Sequence, residues 1–119
     1  MKYIFDTFPD FNKSFKKLLK KYKSLKSDLE NLREEIQENP DIGVSLGEGL
    51  RKIRLNITSK NKGKSGGARV ITYEVVVQIE KEDTTRIYFV DIYDKSEYEA
   101  VNLSVLKEII KEFREEINE

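Results

Sequence analysis

The period of the apolar residues changes twice along this chain, and a chain that changes period in that way must fold helices against a sheet. Between Phe11 and Leu25 the apolar side chains Phe11, Phe15, Leu18, Leu19, Tyr22 and Leu25 recur at helical spacing. From Leu50 to Ile57 the repeat is two, with Ile53, Leu55 and Ile57 pointing one way and Lys52, Arg54 and Asn56 the other. Beyond Leu103 it is helical again, through Leu106, Ile109, Ile110, Phe113 and Ile117.

Local signals place the boundaries. KYIFDTF (residues 2–8) is rich in β-formers and stops at Pro9, which predicts a first strand. Asp10 is the expected N-cap of the helix that follows, and Ser27 with Glu30 has the form of a capping box that restarts a second helix, ending by Asn39-Pro40. The two helices form either an antiparallel hairpin or one kinked helix. DIGVSLGEG (41–49), with three glycines, reads as a loop. The strand at 50–57 is followed by the loop TSKNKGKSGG, a long β-rich run from Arg69 to Ile79, a turn around Glu82 to Thr84, and a strand from Arg86 to about Tyr93. The predicted order β-α-α-β-β-β-α is an α+β fold: an N-terminal strand and helical pair, a three-to-four-stranded, mostly antiparallel sheet, and a C-terminal helix. With 119 residues and 38% apolar content, one domain over 1–119 is expected.

Composition removes several chemistries. The chain has no Cys and no His, so disulfides, thiolate metal sites, Cys nucleophiles and the commonest general base are excluded. Catalysis would have to come from Lys, Arg, Tyr, Asp, Glu or Ser, and no metal or other cofactor is expected. No apolar run approaches the roughly 18 residues of a membrane span, and MKYIFDTF lacks the features of a secretory signal, so a cytoplasmic protein without a membrane partner is expected.

The formal net charge of zero conceals segregation. Residues 49–73 carry Arg51, Lys52, Arg54, Lys60, Lys62, Lys64 and Arg69 with no acid, while residues 74–119 hold thirteen acids against six bases. Such a patch suits a polyanion, although a solvated basic loop is the plain alternative. Alternation puts Lys52 and Arg54 on one strand face roughly 7 Å apart. Arg69 opens the next strand and can stand across from them, and Lys95 follows the last strand on a neighbouring segment. Crowded cations favour the neutral form of an amine, so a lysine in such company can serve as a general base without His. Guanidinium groups beside it suit a phosphate and the charge that develops on it during displacement. The chemistry matched is cleavage of a phosphodiester by the RNA 2′-hydroxyl. For each residue alone, an ordinary surface cation is the competing reading. In KNKGKSGG, Gly63, Gly66 and Gly67 would let a nucleic-acid backbone approach while Lys60, Lys62 and Lys64 supply charge. GKSGG is superficially similar to a P-loop, but it lacks the first glycine and precedes a strand, which excludes a nucleoside triphosphatase of that kind.

The stretch GEGLRKIRLNITSKNKGKSGGARVITYEVVV, followed by IYFVDIYDKSE, resembles the RelE/HigB family of bacterial toxin-antitoxin ribonucleases. The likeness covers roughly residues 43–112, and its specific part is the GKSGGxRV junction between loop and strand. The resemblance implies a RelE-like α+β toxin that enters the ribosomal decoding site and cleaves mRNA there without a metal, held inactive by a helix-turn-helix antitoxin. By motif position, Lys52, Arg54 and Arg69 match the family's basic catalytic residues, and Lys95 matches a fourth that varies between Lys and Arg. Arg51, Lys60, Lys62 and Lys64 would contact RNA. Where some members carry a C-terminal tyrosine this chain has Ala100-Val101, leaving Tyr93 or Tyr98 to stack on the nucleotide or to be ordinary packing residues.

Two other functions compete. The related ParE branch inhibits DNA gyrase by binding protein, without nuclease chemistry, and has no need of converging phosphate-binding groups. A non-catalytic RNA-binding module would present base-stacking aromatics on exposed strands, whereas the aromatics here are expected in the core.

Overall fold

The computed structural model describes residues 2–61, 66–96 and 102–117. Lys62, Lys64 and Tyr98 lie outside the described residues. The chain is an α+β fold in which a five-stranded mixed sheet, ordered β1-β5-β4-β3-β2, is covered by helices on both faces.

β1 (Lys2–Thr7) runs parallel to β5 (Glu82–Asp94), from Lys2 opposite Thr84 to Thr7 opposite Phe89. α1 (Pro9–Lys21) begins one residue before the expected cap: Phe8 holds the N-cap position, Pro9 opens the first turn with its preset φ, and Asp10 lies inside that turn. There the acid complements the helix dipole, as Lys20 and Lys21 do at the other end. The helix stops at Tyr22, whose backbone is extended, and α2 (Leu25–Glu38) restarts two residues before Ser27. The expected capping box is not formed. Ser27 Oγ instead donates back to the Ser24 carbonyl at 3.2 Å. Phe11 of α1 and Arg33 of α2 both lie against the Phe89 ring, at similar distances along the chain from the break, so the pair is an antiparallel hairpin.

The expected loop at 41–49 contains a fourth antiparallel partner. β2 (Val44–Gly47) pairs with β3 (Leu50–Leu55) through Val44↔Lys52 and Ser45↔Arg51. Gly43, at φ +84°, makes this possible: a Cβ there would sit 2.4 Å from the Lys52 carbonyl oxygen. β4 (Ala68–Ile79) pairs with β3 on one side and β5 on the other. The β4-β5 turn is at Glu80-Lys81, both at positive φ, and not at 82–84 as expected. α3 (Leu103–Ile117) begins as predicted, with Asn102 Oδ1 accepting the Val105 N–H at 3.2 Å.

Alternation divides the sheet residues between two cores. Ile53, Leu55, Val70, Ile87, Phe89 and Ile92 pack under the α1-α2 hairpin. Leu50, Ile71, Tyr73 and Val90 pack under Leu106 and Ile110 of α3, with Phe8, Tyr88 and Phe113 closing that side. Arg114 ties α3 down by donating from Nε to the Tyr73 hydroxyl at 2.7 Å. Most aromatic side chains therefore belong to the cores, as the sequence implies. Among the described residues, no helix is long and apolar enough to cross a membrane.

Candidate functional site

Strand parity puts Lys52 and Arg54 on the α3 side of the sheet, opposite in direction to Ile53 and Leu55. The β3-β4 register sets Arg54 directly across from Arg69, and the β4-β5 register sets Arg69 directly across from Tyr93. The next row on the same face is Lys52, Ile71 and Asp91. Directly opposed residues stand about 5 Å apart, so Lys52, Arg54 and Arg69 form one compact cationic group with Tyr93 at its side. Arg54 is exposed, Lys52 half-buried, and Arg69 only 9% exposed, with one guanidinium N–H given to the Ala68 carbonyl at 3.2 Å. Like charges directly opposed across two strands destabilise a sheet. Arg54 and Arg69 are such a pair by register, and the Ala68 carbonyl and the Tyr93 phenol both interact with the Arg69 guanidinium.

The other predicted cations divide differently. Lys95 follows the row by backbone position: its N–H bonds the Gly67 carbonyl at 3.2 Å, one step beyond Ala68↔Asp94, and its side chain is exposed. Arg51 shares the parity of Ile53 and is turned to the opposite face, where it donates to the Asp41 carbonyl at 3.1 Å. Lys60 is also elsewhere. Its Nζ sits 2.7 Å from Asp94 Oδ1 and 5.5 Å from the centre of the Tyr22 ring, with 11% of the side chain exposed. Asp94 is fully buried and also accepts from the Tyr22 hydroxyl at 2.6 Å and from the Ser96 N–H and hydroxyl. Burial alone would raise the Asp94 pKa, but the Lys60 ammonium foremost, with Tyr22 and Ser96, outweighs it and holds the carboxyl well below the usual range. Lys60 is thus committed to a buried ion pair and is not brought to the cationic group.

The glycine expected to admit a phosphate has a packing reason of its own. A Cβ on Gly67 would lie 2.0 Å from the Leu55 carbonyl oxygen, so the residue before β4 must be glycine for β3 and β4 to meet.

Residues that sequence reasoning did not single out adjoin the cations. Asp91, Ser14 and Asp10 meet where α1 crosses β5: Asp91 Oδ1 accepts the Ile92 N–H at 2.8 Å and the Ser14 hydroxyl donates to the same carboxyl. Burial, with the Asp10 charge adding to it, raises the Asp91 pKa. Tyr93 is raised as well, by burial first; Arg69 opposes the shift and Asp91 adds to it, so the phenol feels both groups. No spacing in the sequence announces a contact between residues 14 and 91. Among the described residues, no group of three acidic side chains is placed to hold a metal ion. The chain matches no protein-family model.

Proposed function

We propose that this chain is a ribosome-dependent mRNA endoribonuclease toxin of the RelE/HigB type, paired with a helix-turn-helix antitoxin. The observation that carries the reading is the cross-strand placement of Arg54 against Arg69, with Lys52 on the same face. Two guanidiniums and an ammonium gathered on one sheet face suit the binding of an anion. In the proposed reaction Lys52 takes the proton of a ribose 2′-hydroxyl, the 2′-oxygen attacks the adjacent phosphorus, and the bond to the 5′-oxygen breaks as that oxygen gains a proton. Arg54 and Arg69 hold the phosphate and stabilise the charge that builds on it, with Lys95 at the open end of the row. The sheet supplies rigidity, which suits a site whose work is positioning.

Arg69 is the residue to test. Loss of one such donor costs about 100-fold to 1000-fold in rate, so Arg69→Ala should abolish mRNA cleavage on purified ribosomes. A melting curve beside the cleavage assay reads the part that the buried Arg69 side chain plays in the fold. Arg69→Lys should restore little, since an ammonium cannot make the bidentate contact. A stable Arg69→Ala protein that cleaves at the full rate refutes the mechanism.

A further inference from the structure

Next to the cationic row is a cleft of about 470 Å³. It forms because β1 pairs with β5 only as far as Phe89, leaving the end of β5 between α1 and the start of α3. Leu18, Ile71, Ile92 and Leu106, all buried, make its apolar floor. Asp10, Ser14 and Asp91 line one part of it, and Tyr93 forms wall to the cleft while standing directly across from Arg69.

We propose that this cleft is a nucleobase pocket, which receives the base of the nucleotide whose phosphate lies on Arg54 and Arg69. The proposal rests on the reading of those cations as a phosphate site. Three features point to it. Arg69 and Asp91 are one strand and two residues apart, roughly 8 Å by ordinary sheet spacings, which is the span from a phosphate to its own base. Asp10 and Asp91 repel a phosphate and outnumber Lys17, the one cation among the described residues that line the cleft, so the charge pattern favours the phosphate on the row and the base in the cleft. A base has apolar faces and a polar edge, which matches an apolar floor beside the Asp10 and Asp91 carboxyls and an aromatic wall. The Ile92 N–H and the Ser14 hydroxyl use part of the Asp91 acceptor capacity, and a carboxyl has about four lone-pair sites. An accepting carboxyl pairs with an exocyclic amino group, so cytosine, adenine and guanine are favoured over uracil.

The test uses the whole chain, ¹⁵N-labelled and titrated with the four nucleoside 5′-monophosphates, ribose 5-phosphate and inorganic phosphate. The amino-bearing monophosphates should bind on the order of tenfold more tightly than ribose 5-phosphate, the scale of one stacked base. They alone should shift the amides of Ser14, Asp91, Ile92 and Leu106. Asp91→Asn should erase the preference for cytidine over uridine. Val105→Trp, placed at a rim position that is 52% exposed, should fill the mouth and bring all four down to the level of ribose 5-phosphate without threatening the fold. Equal binding of every ligand with silent cleft amides overturns the pocket and leaves the cationic row standing. Base-dependent shifts in the cleft together with ribose 5-phosphate binding unaltered by Arg54→Gln would instead sink the phosphate reading and keep the pocket. Cleft amides that respond to a basic peptide and to no nucleotide overturn it in favour of a protein ligand.

Discussion

Lys60 separates a basic loop that touches RNA from one that holds the fold together, and replacing it tests which is true. In Lys60→Gln the fully buried Asp94 keeps the Tyr22 hydroxyl and the two Ser96 donors but loses its only positive partner among the described residues. Removing one member of a buried ion pair costs about 3 to 5 kcal/mol, and the remaining donors put this site at about 3 kcal/mol. For a domain of this length that is a fall of about 12 °C in melting temperature, at about 4 °C per kcal/mol. The pH dependence has a definite sign. Asp94 is held below its unfolded value of 3.8, so in the parent its contribution is complete above that value and is lost as pH falls through it toward the folded value. The variant lacks most of that contribution already. The gap between the two proteins should therefore be widest near neutral pH and should close below about pH 4. Lys60→Gln with Asp94→Asn should recover part of the loss, since a neutral amide can use the same donors. Scanning calorimetry from pH 3 to 8, beside RNA binding by anisotropy, decides the matter. An unchanged melting temperature with weakened RNA binding would refute the structural assignment of Lys60.

Gly67→Ala should cost about 3 kcal/mol, because its Cβ would meet the Leu55 carbonyl oxygen and only backbone can yield. Gly47→Ala, where φ is +87° and no atom lies within 4 Å, should cost only the left-handed penalty of about 1 kcal/mol, and urea unfolding of both checks the contrast. Asp91→Asn should raise the melting temperature at neutral pH. Asp91 titrates above its unfolded value of 3.8 in the fold, so its favourable protonated state is present below that value and lost as pH rises, and the gain should vanish in acid. A gain that persists at pH 3 would mean that the amide improves packing and that the carboxyl was not under strain.

Periodicity made the helices and the central strands legible, because each of them buries one face. Lys52, Arg54 and Arg69 were legible for the same reason, since alternation and a single register carry them to one side. Arg51, expected to contact RNA with the group, is carried by the same alternation to the face of Ile53, where it meets the Asp41 carbonyl. β2 was hidden because four residues with an exposed outer edge carry too little pattern, and its pairing depends on Gly43 approaching β3. The β4-β5 turn was misplaced because Glu80 and Lys81 adopt positive φ without the Asn or Gly that normally announces it. Lys60 was read as a loop cation because its partner, Asp94, lies 34 residues away and only the fold introduces them.

The Lys60-Asp94 pair lies beside the cationic group in the ladder. Ala68↔Asp94 is the neighbouring step of the ladder to Arg69↔Tyr93, so the clamp from Lys60 and Tyr22 grips β5 one residue from the tyrosine that adjoins the cations. Both faces of the sheet are covered by helices over most of its area, and the cations occupy the end of the α3 side where Leu50, Ile71 and Tyr73 give way to charge. Fraying of that strand end would dissolve the geometry on which the proposed phosphate positioning depends. Asp94, saturated by four donated contacts on the opposite face, opposes that fraying without lending any charge to the exposed side.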